Sequence, residues 1–210
     1  MRVLFAFLLF SATFTSKAQS SIGVHASALS ILGETTGGSS IGDDLGLGIN
    51  IRLSAPLFCN NLEISGEASY YAIDIDYTLA GSDFSFHHTT AKQYNIGGGL
   101  TFYPFLKGKR PSMYKPFRFY ISGFAGISAQ KNKVIETHNM PAAYTVYDGL
   151  LIFPFGDMVA GLKIRINPTS CMDVFVGGRM ALSDAVDGIA GTGAAPDMML
   201  RIGVGICHRL

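Results

Sequence analysis

The chain has 210 residues, of which 48% are hydrophobic and only 15% charged, and its net charge is +1. That charge balance offers nucleic acid no electrostatic footprint, and a water-soluble domain usually carries about 25% charged residues. No apolar run reaches the roughly 18–20 residues of a membrane-spanning helix, so the apolar content is dispersed, as in a core or on the outside of a membrane barrel.

The N-terminal stretch MRVLFAFLLFSATFTSKAQS sets Arg2 before an apolar run from Val3 to Phe10 and a polar tail. This is the layout of a secretory signal, with Ser16-Lys17-Ala18 as a small-x-small cleavage site. Residues 1–18 are therefore expected to be a signal peptide, and residues 19–210 the exported domain.

Beyond residue 20 apolar residues recur at every second position. In SIGVHASALSIL the apolar set begins Ile22, Val24, Ala26, Ala28, and in LGLGINIRLSAP it is Leu45, Leu47, Ile49, Ile51, Leu53, Ala55. The segment 62–77 keeps the rule through Ile64, Gly66, Ala68, Tyr70 and Ala72, until Asp74 and Asp76 fall on the same face. The pattern predicts that this strand has left the apolar layer by Asp74; a bulge that swaps the faces is the alternative. QYNIGGGLTFYP, FRFYISGFAGIS, MVAGLKIRIN, MDVFVGGRMALS and MMLRIGVGICHRL alternate in the same way. Side chains point to opposite faces of a strand, so a period of two over about ten residues reads as strand.

These segments predict an all-β chain of about eight long strands, with connections that alternate in length. The long ones are GETTGGSSIGDD, TLAGSDFSFHHTTA, the stretch near 131–157 and DAVDGIAGTGAAP. The tighter ones fall near 57–61, 106–116 and 168–170. Tight turns at one end and long loops at the other match an antiparallel, up-and-down transmembrane barrel. A water-soluble barrel would place long charged side chains on its outer face, whereas here the polar face is rich in Gly and Ser. That suits a narrow lumen, with lipid against the apolar face and Tyr94, Phe102, Phe117 and Phe119 as an interfacial girdle near strand ends. The expected location is the bacterial outer membrane.

The lumen face then holds His25, Arg52, Glu63, Glu67, Arg118, Lys163, Arg165, Asp173, Arg179 and Arg201. Both signs occur, so the groups can pair. They form either a salt-bridged plug or a conduit for small ions or protons. No phosphate loop, zinc spacing or nucleophile elbow is present, so neither a cofactor nor an enzymatic activity is expected. His87-His88, placed in the second long connection, lacks a third ligand for zinc. Cys171 and Cys207 fall at the same end of neighbouring strands and face inward, so they either form a disulfide or stand as unpaired small residues. LKGKRPSMYKP concentrates Lys107, Lys109, Arg110 and Lys115 on a short-side connection, as a solvated turn or as a docking patch for an acidic periplasmic partner.

Gly161-Leu162-Lys163, Gly178-Arg179, and Ser183-Asp184 with Asp187-Gly188 resemble the C-terminal part of the PorG-like outer-membrane barrels of Bacteroidota, associated with type IX secretion. GGSSIGDDLGLGINIR is similar to that family's opening, and Ala18-Gln19 fits the signal peptides of the phylum. The resemblance implies a non-enzymatic barrel that contacts a periplasmic ring of the secretion machine through its short turns. The generic alternative is a barrel like OmpX or OmpW, serving as a small-solute channel or an adhesin.

Overall fold

A computed structural model describes residues 20–32, 45–57, 61–79, 85–106, 115–138, 145–183, 186, 189–190 and 197–210. The strands in chain order are β1 (Ser21–Leu32), β2 (Leu45–Pro56), β3 (Leu62–Leu79), β4 (Ser85–Phe102), β5 (Phe117–His138), β6 (Thr145–Val146), β7 (Gly149–Arg165), β8 (Ser170–Ala181), β9 (Ile189–Ala190) and β10 (Met198–Arg209). All but β6 and β9 close into one antiparallel barrel in the order β1-β10-β8-β7-β5-β4-β3-β2, and β6 pairs with β9. Pairing of β1 with β10 completes the ring. No barrel strand keeps an open edge, as a hydrocarbon surround demands.

Exposure decides which face looks outward. Ile96 is 69% exposed and Leu47 64%, whereas Arg179 is 1% and Arg201 0% exposed. Soluble barrels have the reverse arrangement. The outward positions of β4 from Phe102 through Leu100, Gly98 and Ile96 to Tyr94 carry no charge. Those eight steps at about 3.4 Å each, tilted by about 40°, span about 21 Å, near the ~25 Å apolar band of membrane barrels. Aromatic pairs mark both limits: Phe105 and Phe119 with ring centroids 6.0 Å apart, Tyr70 and Tyr94 at 5.1 Å. Tyr94 thus belongs to the girdle, but it lies well inside β4 and not near a strand end.

The strands run further than their apolar stretches. Most of TLAGSDFSFHHTTA is ladder and not loop, since β3 and β4 pair without a break from Leu62↔Phe102 to Leu79↔Ser85. Residues 131–138 likewise belong to β5, and 149–157 to β7. Asp74 therefore points outward from a continuous strand that has risen out of the apolar layer. His87 and His88 sit in that ladder, opposite Tyr77 and Asp76 on one side and Thr137 and Glu136 on the other. Outside hydrocarbon the outer face meets water, so polar residues occupy it and the segment reads like a loop. The irregularity in this region lies on β5 instead: Val134 faces Thr89 and Glu136 faces His88, so Ile135 is the extra residue of a bulge.

At the other end, the β7–β8 turn is held by Asn167, whose Oδ1 accepts from the backbone amides of Thr169 at 2.9 Å and Ser170 at 2.7 Å. A side chain that mimics a backbone turn makes such a connection tight. The expected signal peptide (1–18), the GETTGGSSIGDD connection, Cys59, Lys107, Lys109 and Arg110 lie outside the described residues.

Candidate functional site: the barrel lumen

Inward positions of adjacent strands stack side chains into a narrow bore. Glu67 on β3 is the hub. Its Oε2 accepts from Arg52 Nε at 3.2 Å and Nη2 at 2.8 Å, and its Oε1 accepts from Arg201 Nη2 at 2.7 Å. Arg179 Nη2 lies 3.9 Å from the same oxygen. Asp157 closes the other side: its Oδ2 accepts from Arg179 Nε at 3.3 Å and Nη2 at 3.0 Å, and from Arg201 Nη1. The chain continues from Arg52 Nη1, which donates to Tyr120 Oη at 3.3 Å; Tyr120 donates to Asp173 Oδ1 at 3.0 Å, and Asp173 Oδ2 meets His25 Nε2 at 3.0 Å. One connected polar ladder thus crosses the bore.

Rings separate the charges. Arg52 lies 4.9 Å from the Phe124 ring centroid and 5.4 Å from that of Phe175. Arg179 stands 4.2 Å from Phe155, and Arg201 5.5 Å from Phe175. Cation–π contact strengthens when water is excluded, so these rings both fill volume and hold the guanidinium planes. Three rings are in turn laid on glycine: a methyl group at Gly48, Gly161 or Gly203 would collide with Tyr71, Tyr120 or Phe175 respectively.

Toward the short turns a second cluster forms around Tyr103. Lys163 Nζ donates to Tyr103 Oη at 2.8 Å, Tyr103 donates to Glu63 Oε2 at 2.8 Å, and Lys163 lies 3.6 Å from Glu63. Arg118 is buried here, 5.7 Å from the Tyr103 ring, with Nη2 3.7 Å from Cys171 Sγ. Arg165 shares the inward parity but stands exposed at the rim, because β7 ends there and the bore opens. It is therefore not part of the buried ladder. Cys171 and Cys207 pair directly across β8 and β10 and are joined by a disulfide, their Cα atoms 5.1 Å apart.

Toward the long loops an apolar cluster fills part of the lumen, beside the buried amides Gln93, Gln130 and Asn132, and Gln130 donates to the Val186 carbonyl. Leu29, Ile31, Tyr71, Ile73, Ala91, Phe153, Ala181 and Met199 form a buried cluster with Val186. Val186 comes from the β8–β10 connection and is 0% exposed; its amide donates to Asp197 Oδ2 at 2.9 Å. That residue stoppers the mouth.

Alternation gives Tyr120 the inward parity of Arg118 and Ser122, and Phe175 that of Asp173 and Gly177, but it does not single out Tyr103 or Val186 as lumen residues. Asp157 keeps the parity of Val159, Gly161 and Lys163 and stands one position before the alternating stretch MVAGLKIRIN. His25 Nδ1, the ring nitrogen not facing Asp173, contacts no hydroxyl among the described residues, so the pair makes no nucleophile triad there. Among the described residues no group of three metal-ligating side chains occurs.

No protein-family model matches the chain, and no curated protein matches it in sequence. Solved structures match in shape. Neisserial surface protein A (NspA) aligns at TM-score 0.58 and 11% identity, over 93% of this chain and 100% of that one. Ail, the attachment invasion locus protein of Yersinia pestis, in complex with the heparin analogue sucrose octasulfate, aligns at TM-score 0.50 and 14% identity, over 91% of this chain and 99% of that one. The fold is that of a bacterial outer-membrane β-barrel. The lipid-facing wall described above agrees with that assignment, and the outer membrane is where such a barrel resides. At these identities the likeness concerns the fold alone.

Proposed function

We propose that this outer-membrane barrel is non-enzymatic and non-conducting, a structural or interaction protein whose lumen is a plug. The observation that carries the reading is the burial of the described lumen side chains, from the Tyr103 cluster through the Glu67 ladder to Val186. Small barrels whose interiors are filled by side chains leave no aqueous path, and here each buried cation of the ladder meets a carboxylate, as burial requires. In planar bilayers the purified protein is expected to give no unitary current steps. Reproducible steps from the unmodified chain would overturn the plug in favour of a small-solute channel.

The finer reading is an accessory of a type IX-like secretion machine, exported by the signal peptide at 1–18 and docking a periplasmic partner through its short turns. Two features support it: the resemblance of the C-terminal strands to PorG-like barrels, and the basic connection holding Lys107, Lys109, Arg110 and Lys115. Lys115 is exposed and donates to the Phe105 carbonyl at 3.1 Å, which sets a cation beside an outward aromatic at that end. Tagged protein pulled from native membranes should bring down a periplasmic protein, and reversing the four charges should release it. Recovery only of surface-exposed ligands on the long-loop side would favour an adhesin instead.

A further inference from the structure

The outer wall of β3–β5 changes character one step past the Tyr70–Tyr94 ring pair. Lys92 and Lys131 stand directly opposite each other in the β4–β5 ladder, and Lys133 follows on the same face; all three are exposed. Like charges directly opposite destabilise a sheet pair. Among the described residues no ion pair joins a carboxylate to any of the three. Among the described side chains the outward acids nearby are Asp74, opposite Thr90 and diagonal to Lys92, and Glu136, beyond the bulge. Three lysines thus stand against two described carboxylates with no ion pair to either, which leaves a local excess of positive charge.

Its height is informative. Lys92 lies two residues, about 7 Å along the strand, beyond Tyr94, and interfacial tyrosines sit at head-group level. Beside and below the patch the wall is apolar and outward-facing: Leu150, opposite Lys131, is 62% exposed, Ile152 64% and Ile127 57%. Lysine carries a compact charge on a flexible apolar stem, able to lie along such a wall and lift its ammonium group to the polar layer. We propose that Lys92, Lys131 and Lys133 form a binding site for phosphate-bearing lipid head groups of the leaflet on the long-loop side. The apolar wall beneath takes the acyl chains, and the three ammonium groups take the phosphate. Free phosphate would satisfy the charge but would not use the wall, so the site selects lipid. This inference is independent of the partner-docking reading.

The test is native mass spectrometry of the whole protein in non-ionic detergent, titrated with a bis-phosphorylated glucosamine lipid (lipid A) and separately with phosphatidylcholine and inorganic phosphate. The unmodified protein should retain lipid A in preference to phosphatidylcholine, and millimolar inorganic phosphate should not displace it. Removing charge should weaken retention roughly fivefold per lysine, so about a hundredfold for K92Q/K131Q/K133Q. The charge-keeping K92R/K131R/K133R should bind as the parent does. Loss of a like-charge pair should leave heat-modifiable mobility on gels unchanged or raised; should the triple variant nevertheless fail to fold, Lys131→Gln alone is read for the fivefold effect. Equal lipid A retention by parent and glutamine variant, equal retention of phosphatidylcholine, or displacement by inorganic phosphate would each overturn the site.

Discussion

The Glu67 ladder and the Val186 cap fill neighbouring lengths of one bore by opposite chemistry. In the ladder, Arg52, Arg179 and Arg201 converge on Glu67 and Asp157 behind a wall of lipid-facing residues. In the cap, Leu29, Ile31, Ile73, Phe153 and Met199 pack together beside the buried amides Gln93, Gln130 and Asn132, while on β3–β5 the outward residues of that region become Asp74, Lys92 and Lys131. Where hydrocarbon lies outside, the interior must take the polar groups. Where β3–β5 rise out of the apolar layer, charged residues take the outer face and apolar ones join the amides inside. The outward residues of β3–β5 thus report the solvent at each height.

The sharpest way to break this contrast is to remove the hub. Glu67→Gln leaves the neighbouring guanidinium groups of the ladder without their shared carboxylate, and losing one member of a buried ionic set costs about 3–5 kcal/mol. Urea unfolding in detergent or lipid should register it; a loss under about 1 kcal/mol would mean that water reaches the ladder. Ile73→Ala in the cap should cost less, about 2–4 kcal/mol, as a cavity in packed apolar surroundings does, and the loss should be insensitive to salt. Coupling sharpens the contrast further. Glu67→Gln combined with Arg201→Met should deviate from additivity by about 0.5–3 kcal/mol, whereas Glu67→Gln with Ile31→Val, one in each region and far apart along the bore, should add within about 0.5 kcal/mol. The smallest effect is expected outside both regions: Lys115→Glu at the short-turn end should change stability by no more than about 0.5 kcal/mol, so a lost partner in that variant reports docking and not unfolding.

Legibility followed the same boundary. Arg52, Glu67, Asp173, Arg179 and Arg201 could be placed inward from the sequence because a two-residue period survives wherever one face meets lipid, and the strand count followed from the same signal. Above Tyr94 the outer face of β3–β5 loses its apolar residues while buried amides remain inside, so the contrast that marks a strand fades and 78–91, with His87-His88, reads as a loop. Asp74 and Asp76 are the residues that expose this change in the sequence. Long-range partners such as Tyr120 and Phe175 could not be read, since which rings meet which cations depends on the register between strands and not on spacing along one. The apolar stopper Val186 was hidden for a related reason: a single valine in a Gly- and Ala-rich connection carries no periodicity.

The rings laid over Gly48, Gly161 and Gly203 bear on how such a bore could ever change. Each glycine is the empty half of a lock whose other half stands on the adjacent strand, so neither partner is free to drift alone. A descendant of this chain that became a pore would have to shed its tyrosines and phenylalanine first. Its glycines would be the last trace of the plug.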